Sequence, residues 1–128
     1  MDRNFDAILA DVPCTGLGAL RRRPEVRWRR TLADLRLLTD LQLELSEAAI
    51  SVLNPGGYFA YVTCSPHLAE TKFQVSAILK KHPELQKIDL RPFFPTSLVS
   101  ATDDGSLLLW PQIHNTDAMF MTIFQKSS

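Results

Sequence analysis

The run Tyr58-Phe59-Ala60-Tyr61-Val62-Thr63-Cys64-Ser65-Pro66 settles what kind of sheet this chain builds. Aromatic and β-branched residues follow directly on Pro55-Gly56-Gly57 and stop at a cysteine and Ser-Pro. With apolar residues at consecutive positions, both faces of such a strand are buried, the signature of a parallel sheet. In open α/β sheets ligands bind beyond the carboxyl ends of the strands, which is where Cys64 falls. A second run, Phe5-Asp6-Ala7-Ile8-Leu9-Ala10-Asp11, ends in Val12-Pro13-Cys14-Thr15-Gly16. Each of the chain's two cysteines therefore terminates an expected strand.

Between the strands, Thr31 with Asp34 three residues on gives a helix start. Leu35, Leu38, Gln42, Leu45, Ala49 and Val52 then recur at helical spacing as the inward face, with Arg36, Asp40, Glu44 and Glu47 turned outward. Asn54-Pro55-Gly56-Gly57 is expected to stop this helix before a strand over 58–63. Residues 5–63 thus form a β-α-β unit with the cysteine-bearing strands as neighbours. A second helix is expected over 69–81, with Val75, Ile78 and Leu79 inward, then a short strand over 85–90. Residues 91–106, rich in Pro, Ser and Asp with Gly105, read as a loop. Leu107–Trp110 is a short apolar run and Met119–Gln125 a terminal strand.

The 128 residues make one domain at most, and 45% hydrophobic content suffices for a core. Fourteen basic and fourteen acidic side chains exclude a polyelectrolyte as a whole. Six of the arginines nevertheless crowd into ten residues, Arg21, Arg22, Arg23, Arg27, Arg29 and Arg30, with Trp28 among them. That composition suits phosphate contacts and base stacking, while a solvated loop pairing with acids of the next helix is the plainer alternative. No apolar run approaches the ~20 residues that cross a bilayer. Two cysteines make no disulfide framework, so a reducing, cytoplasmic setting is expected. Metal binding is not expected, because the cysteines and His67, His82 and His114 lack ligand spacing.

A thiol near a helix N-terminus gains thiolate character, and two thiols with a carboxylate in one cleft suit nucleophilic addition to an electron-poor ring. Cys64, Cys14 and Asp11 are the candidates. Asp11-Val12-Pro13-Cys14-Thr15-Gly16 resembles the Asp-Ala-Pro-Cys-Ser-Gly motif of the RNA cytosine-5 methyltransferases, and Thr63-Cys64-Ser65 resembles their Thr-Cys-Ser motif. Arg22-Arg23-Pro24-Glu25-Val26-Arg27-Trp28 is similar to a segment of the Sun/Fmu branch, which modifies 16S ribosomal RNA. Trp110-Pro111 and Asp117-Ala118-Met119-Phe120 extend the likeness towards the end of the chain.

The resemblance implies a Rossmann-like methyltransferase fold: its C-terminal half, with a mostly parallel sheet and a terminal antiparallel strand. It implies S-adenosylmethionine as methyl donor, Cys64 as the nucleophile, and Cys14 as the group that assists release. Residue chemistry alone does not choose between the two thiols. Asp11 would hold the cytosine edge or the cofactor's methyl-bearing end, Pro13 would shape the loop on the cofactor side, and the arginine segment with Trp28 would meet RNA, ribosomal by the branch. Val12, Thr15 and Ala118 replace the family's Ala, Ser and Gly. Gly-x-Gly-x-x-Gly is absent, so the cofactor-binding half is expected to lie outside residues 1–128. The chain alone is expected neither to hold the cofactor tightly nor to methylate. A non-catalytic RNA-binding half-domain is the competing reading, and a redox role for the cysteine pair is a more distant one. Self-association through the first strand's open edge is a further expectation.

Overall fold

The computed structural model describes residues 3–14, 32–65, 67–93, 102–103, 105–109 and 118–128. In order these form β1 (Phe5–Asp11), α1 (Leu32–Ser51), β2 (Leu53–Thr63), α2 (Lys72–Lys81), β3 (Leu85–Ile88), β4 (Thr102–Asp103), β5 (Ser106–Leu109) and β6 (Met119–Lys126). Short 3-10 turns occupy Leu68–Glu70 and Arg91–Phe93. The expected β-α-β unit is present, with β1 and β2 paired in parallel from Ala7↔Tyr58 to Asp11↔Val62. β6 returns antiparallel along the other edge of β2, from Tyr58↔Gln125 to Thr63↔Phe120. β3 and β5 then share the far edge of β6 end to end, both antiparallel to it, and β4 closes on β5. β1, β2, β3 and β5 consequently point one way, while β6 and β4 point the other. This is a mixed α/β sheet of mostly like-directed strands with an antiparallel return.

The core lies on one face of the sheet. Phe59 and Tyr61 of β2 and Phe120 and Phe124 of β6 are buried there against Ile50 of α1 and Val75 and Ile78 of α2. Phe59 stacks on Phe124 with ring centroids 5.9 Å apart, and Tyr61 meets Phe120 edge-on at 6.4 Å. Such pairs add to the burial term, which for a ring this enclosed amounts to about 2–3 kcal/mol. The opposite face carries Tyr58, Ile88, Met121 and Ile123, which line a shallow apolar depression with Leu90 and Phe93. Both described α-helices sit on the core face.

Three details depart from the sequence reading. β2 begins at Leu53, so Pro55-Gly56-Gly57 lies inside the strand instead of between elements. Gly56 has φ +79°, and the β1–β2 register shifts between Phe5 and Ala7. A Cβ on Gly57 would stand 2.8 Å from the Asn54 carbonyl oxygen and 2.9 Å from that of Asp6, so the strands close only around glycine. Within 91–106, Thr102–Asp103 and Ser106–Leu109 form a hairpin turned at Gly105, whose φ of +80° suits that residue. Finally, α1 turns Gln42 inward as expected, with Leu35, Leu38 and Ala49 half-buried, but Leu45 is exposed together with Leu37 and Leu41, while Ser46 and Ile50 are buried. The leucine row therefore is not uniformly core, because the buried position is taken by a glutamine with partners to satisfy.

The carboxyl end of α1 has no basic residue of its own in its last turn. Lys126 of β6 supplies one, donating to the carbonyls of Ile50 at 3.4 Å and Leu53 at 3.0 Å. A cation there complements the helix dipole and satisfies orphan acceptors.

Candidate functional site

Because β1 and β2 run in register, their carboxyl ends emerge together. The last link between them is Val12 N–H to the Val62 carbonyl at 3.0 Å. Cys14 lies two residues beyond that bond on one strand, and Cys64 two residues beyond it on the other. Both cysteines are half-buried and neither is in a disulfide. Neighbouring strands lie about 4.8 Å apart, so both loops leave the sheet at one place. Asp11 is exposed at the same end, and Pro13 is exposed one residue before Cys14. Asp11 shares the sheet face of Leu9, opposite to Ile8 and Ala10, which pack on the core. The whole basic segment, with Arg21, Arg22, Arg23, Arg27, Trp28, Arg29 and Arg30, lies outside the described residues.

Beneath the two loops is a set of buried polar side chains. Gln42, Tyr61, Ser65 and Glu70 are all wholly enclosed. The Gln42 amide donates to the Pro13 carbonyl at 2.9 Å and to Glu70 Oε1 at 3.1 Å. Glu70 Oε2 accepts from the Ser65 hydroxyl, which itself accepts from the His67 amide at 3.1 Å. The Tyr61 hydroxyl donates to the Glu70 carbonyl at 2.6 Å and lies 3.3 Å from the Gln42 side-chain oxygen. Gln74 donates to that same oxygen at 3.2 Å and to the Thr39 carbonyl at 2.6 Å. Pro13 O and Glu70 Oε1 both accept, so the Gln42 amide can sit only one way round. Burial pushes the Tyr61 phenol above its ordinary ionisation range, with the negative charges of Glu70 and Cys14 adding to the effect.

By sequence Glu70 is first a capping candidate for the helix after Cys64, and second a match to an acidic residue that the resembled family keeps after its Thr-Cys motif. It instead turns into the protein. The amide donors expected to favour a Cys64 thiolate are also engaged locally: His67 N–H by Ser65, Ala69 N–H by His67 Nδ1, and Glu70 N–H by the His67 carbonyl. Thr63, directly before Cys64, is buried with its hydroxyl unpartnered among the described residues. No cluster of side chains suited to a metal occurs among the described residues. No described helix is long and apolar enough to cross a membrane.

Sequence reasoning passed over Ser65 and Tyr61 as parts of a strand end. Gln42 carried a usable signal, since an amide on an otherwise apolar inward face must find hydrogen-bond partners.

A mixed α/β sheet of this kind belongs to the Rossmann-like class, whose ligands bind beyond the carboxyl ends of the strands. The family model described as 16S rRNA methyltransferase RsmB/F matches residues 1–125, and the chain belongs to that family. A Mycobacterium tuberculosis protein named as a methyltransferase is 49% identical over 126 residues, covering 98% of this chain and 27% of the relative. A Synechocystis relative named for ribosomal RNA small subunit methyltransferase B is 33% identical over 95% of this chain and 27% of its own length. Among solved structures, NSun6 from Pyrococcus horikoshii with SFG matches the whole chain with a TM-score of 0.80 and 26% identity, over 32% of that structure. A methyltransferase homologue from the same organism matches 98% of the chain with a TM-score of 0.76 and 28% identity, over 40% of that structure. The chain spans about a quarter of the length of the curated relatives it matches.

Proposed function

We propose that this chain carries the thiol end of an S-adenosylmethionine-dependent RNA cytosine-5 methyltransferase acting on ribosomal RNA in the cytoplasm. The observation that supports it most is the pairing of β1 with β2, from whose adjacent ends Cys14 and Cys64 emerge half-buried. Carbon 5 of cytosine is a weak nucleophile. Addition of the Cys64 thiolate at carbon 6 forms a sulfur–carbon bond and moves electron density to carbon 5, which can then take up a methyl group. Loss of the carbon 5 proton and cleavage of the sulfur–carbon bond restore the aromatic ring and the thiolate. Cys14 assists that elimination. Asp11, exposed at the end of β1, holds the cytosine edge or the methyl-bearing end of the donor, and Arg21, Arg22, Arg23, Arg27, Arg29 and Arg30 with Trp28 grip the RNA.

S-adenosylmethionine supplies the methyl group when bound. Asp11 and Pro13, both exposed, are the residues assigned to meet it. The open hollow beside β1, about 690 Å³ and lined by Phe5, Ile8, Leu9, Ala49 and Val52 among others, offers no carboxylate to a ribose. The chain by itself is expected not to hold the donor tightly and not to transfer methyl groups.

The test uses a protein joining this chain to the further segments its relatives possess. Cys14→Ser should accumulate a covalent protein–RNA adduct on denaturing gels, and Cys64→Ser should abolish both adduct and methylation. A Cys64→Ser protein that still methylates would overturn the reading. So would methyl transfer by the 128-residue chain alone, for the part that concerns completeness. RNA binding that persists with no methylation by the longer protein would favour the non-catalytic alternative.

A further inference from the structure

We infer that Gln42 and Glu70 are positioning residues whose joined side chains set the spacing of Cys14 and Cys64. The inference rests on the proposed role of the two thiols, but its geometry does not. One amide group holds the Pro13 carbonyl, adjacent to Cys14, and at the same time the Glu70 carboxylate. The other oxygen of that carboxylate holds the hydroxyl of Ser65, adjacent to Cys64. The route from one cysteine loop to the other therefore crosses three side chains, Gln42, Glu70 and Ser65, and all are fully buried.

Each end of this route is anchored elsewhere. Gln74 of α2 fixes the Gln42 oxygen, and Tyr61 of β2 fixes the Glu70 main chain. Val12 N–H to the Val62 carbonyl is the last described bond between β1 and β2, so pairing of these two strands does not itself align Cys14 with Cys64. Neither Gln42 nor Glu70 reaches a substrate from its enclosed place. They act through the loops. A displacement near 1 Å at a reacting group can cost about 100-fold in rate, which makes such a clamp worth burying.

The experiment measures bridging of the two thiols in the 128-residue chain by dibromobimane, which becomes fluorescent when it links two nearby sulfurs. Monobromobimane reports the accessibility of each thiol separately, and circular dichroism reports folding. Wild type should be bridged readily. Gln42→Met and Glu70→Ala should slow bridging by about tenfold or more, while single-thiol labelling changes far less. Glu70→Gln, which keeps an acceptor for Gln42 and a partner for Ser65, should restore most of the rate. Glu70→Met, which refills the same volume without the hydrogen bonds to Gln42 and Ser65, should not restore it. Should Glu70→Ala fail to fold, Ser65→Ala removes only the last link on the Cys64 side and should slow bridging in a folded protein. Folded Gln42→Met and Ser65→Ala proteins bridged at the wild-type rate would overturn the inference and leave the proposed function standing. Wild type that labels on both thiols but never bridges would overturn both, because the sulfurs would then not share a cleft.

Discussion

Two flanks of the β1–α1 layer are built on opposite principles. At the carboxyl end of β1, polar groups are buried and saturated: Gln42, Glu70, Ser65 and Tyr61 satisfy one another with no access to water. Along the side of β1, apolar groups are exposed: Leu9 is 66% accessible, Phe5 41%, and Leu37 of α1 70%. Each is the reverse of what residue type alone would dictate. Burying polar groups is costly unless every hydrogen bond is made, and the reward is a rigid and unique arrangement. A contiguous exposed apolar patch is the kind of surface that favours association. One end of the strand is organised for precision, and its edge is left open among the described residues.

If that contrast is sound, substitutions should be unequal in a way that side-chain size does not explain. The largest effect is expected for Glu70→Ala. It strands the Gln42 amide and the Ser65 hydroxyl in a dry interior, and chemical denaturation should show a loss of about 3 kcal/mol. Leu9→Ala removes a comparable number of atoms and should cost less than about 0.5 kcal/mol. Equal losses would erase the distinction.

Tyr61→Phe should cost about 1 kcal/mol, since it deletes the hydroxyl that holds the Glu70 carbonyl and leaves the ring packing with Phe120 in place. The phenol also gives a pH signature. In the unfolded chain it ionises near its ordinary 10.0, whereas in the folded protein burial keeps it protonated well beyond that. Above pH 10 the unfolded state therefore binds fewer protons, and the stability present in full below pH 10 falls as pH rises. The Tyr61→Phe protein should show a flatter alkaline limb in its denaturation midpoint. A limb of unchanged slope would mean that the hydroxyl is not sealed.

How much of this could be read beforehand differs between the same two regions. The strands at 5–11 and 119–126 and the helices at 32–51 and 72–81 follow hydrophobic period, and they stand within a few residues of expectation. That period also placed Cys14 and Cys64 at neighbouring strand ends, because a β-α-β connection leaves few alternatives. The early start of β2 was hidden since Pro55-Gly56-Gly57 has turn chemistry, while the register around Gly57 depends on the Asn54 and Asp6 carbonyls. The hairpin at Gly105 was concealed in the same manner, its strands being too short for any period. The clamp was illegible for a different reason. Gln42 and Glu70 are 28 positions apart, and their contact exists only once α1 and the turn at Leu68–Glu70 are laid on one sheet face. Period even pointed slightly astray, giving Leu45 the interior that Ser46 and Ile50 occupy.

The smallest effect on stability is expected at the open edge, where the effect on association should be plain. Among the described residues, β1 is paired on one side only, so its outward backbone groups have no ladder partner. Leu37, Leu41 and Leu45 form a stripe on α1 at four-residue spacing, and it runs towards the hollow lined by Ala48, Val52, Phe5 and Leu9. An apolar stripe beside an unpaired strand is a template for a second chain. Self-association of the 128-residue chain is therefore expected, with a mass in sedimentation that rises with concentration. Leu9→Lys places a charge on that edge and should weaken association by about tenfold or more, with little change in the stability of the monomer. On the proposal that the further segments of its relatives cover the same edge, a protein carrying them should associate less. Wild type that remains monomeric at high concentration would show that the stripe and the strand are inert. The exposed leucines would then be ordinary surface, and the contrast between the two flanks would reduce to the polar one alone.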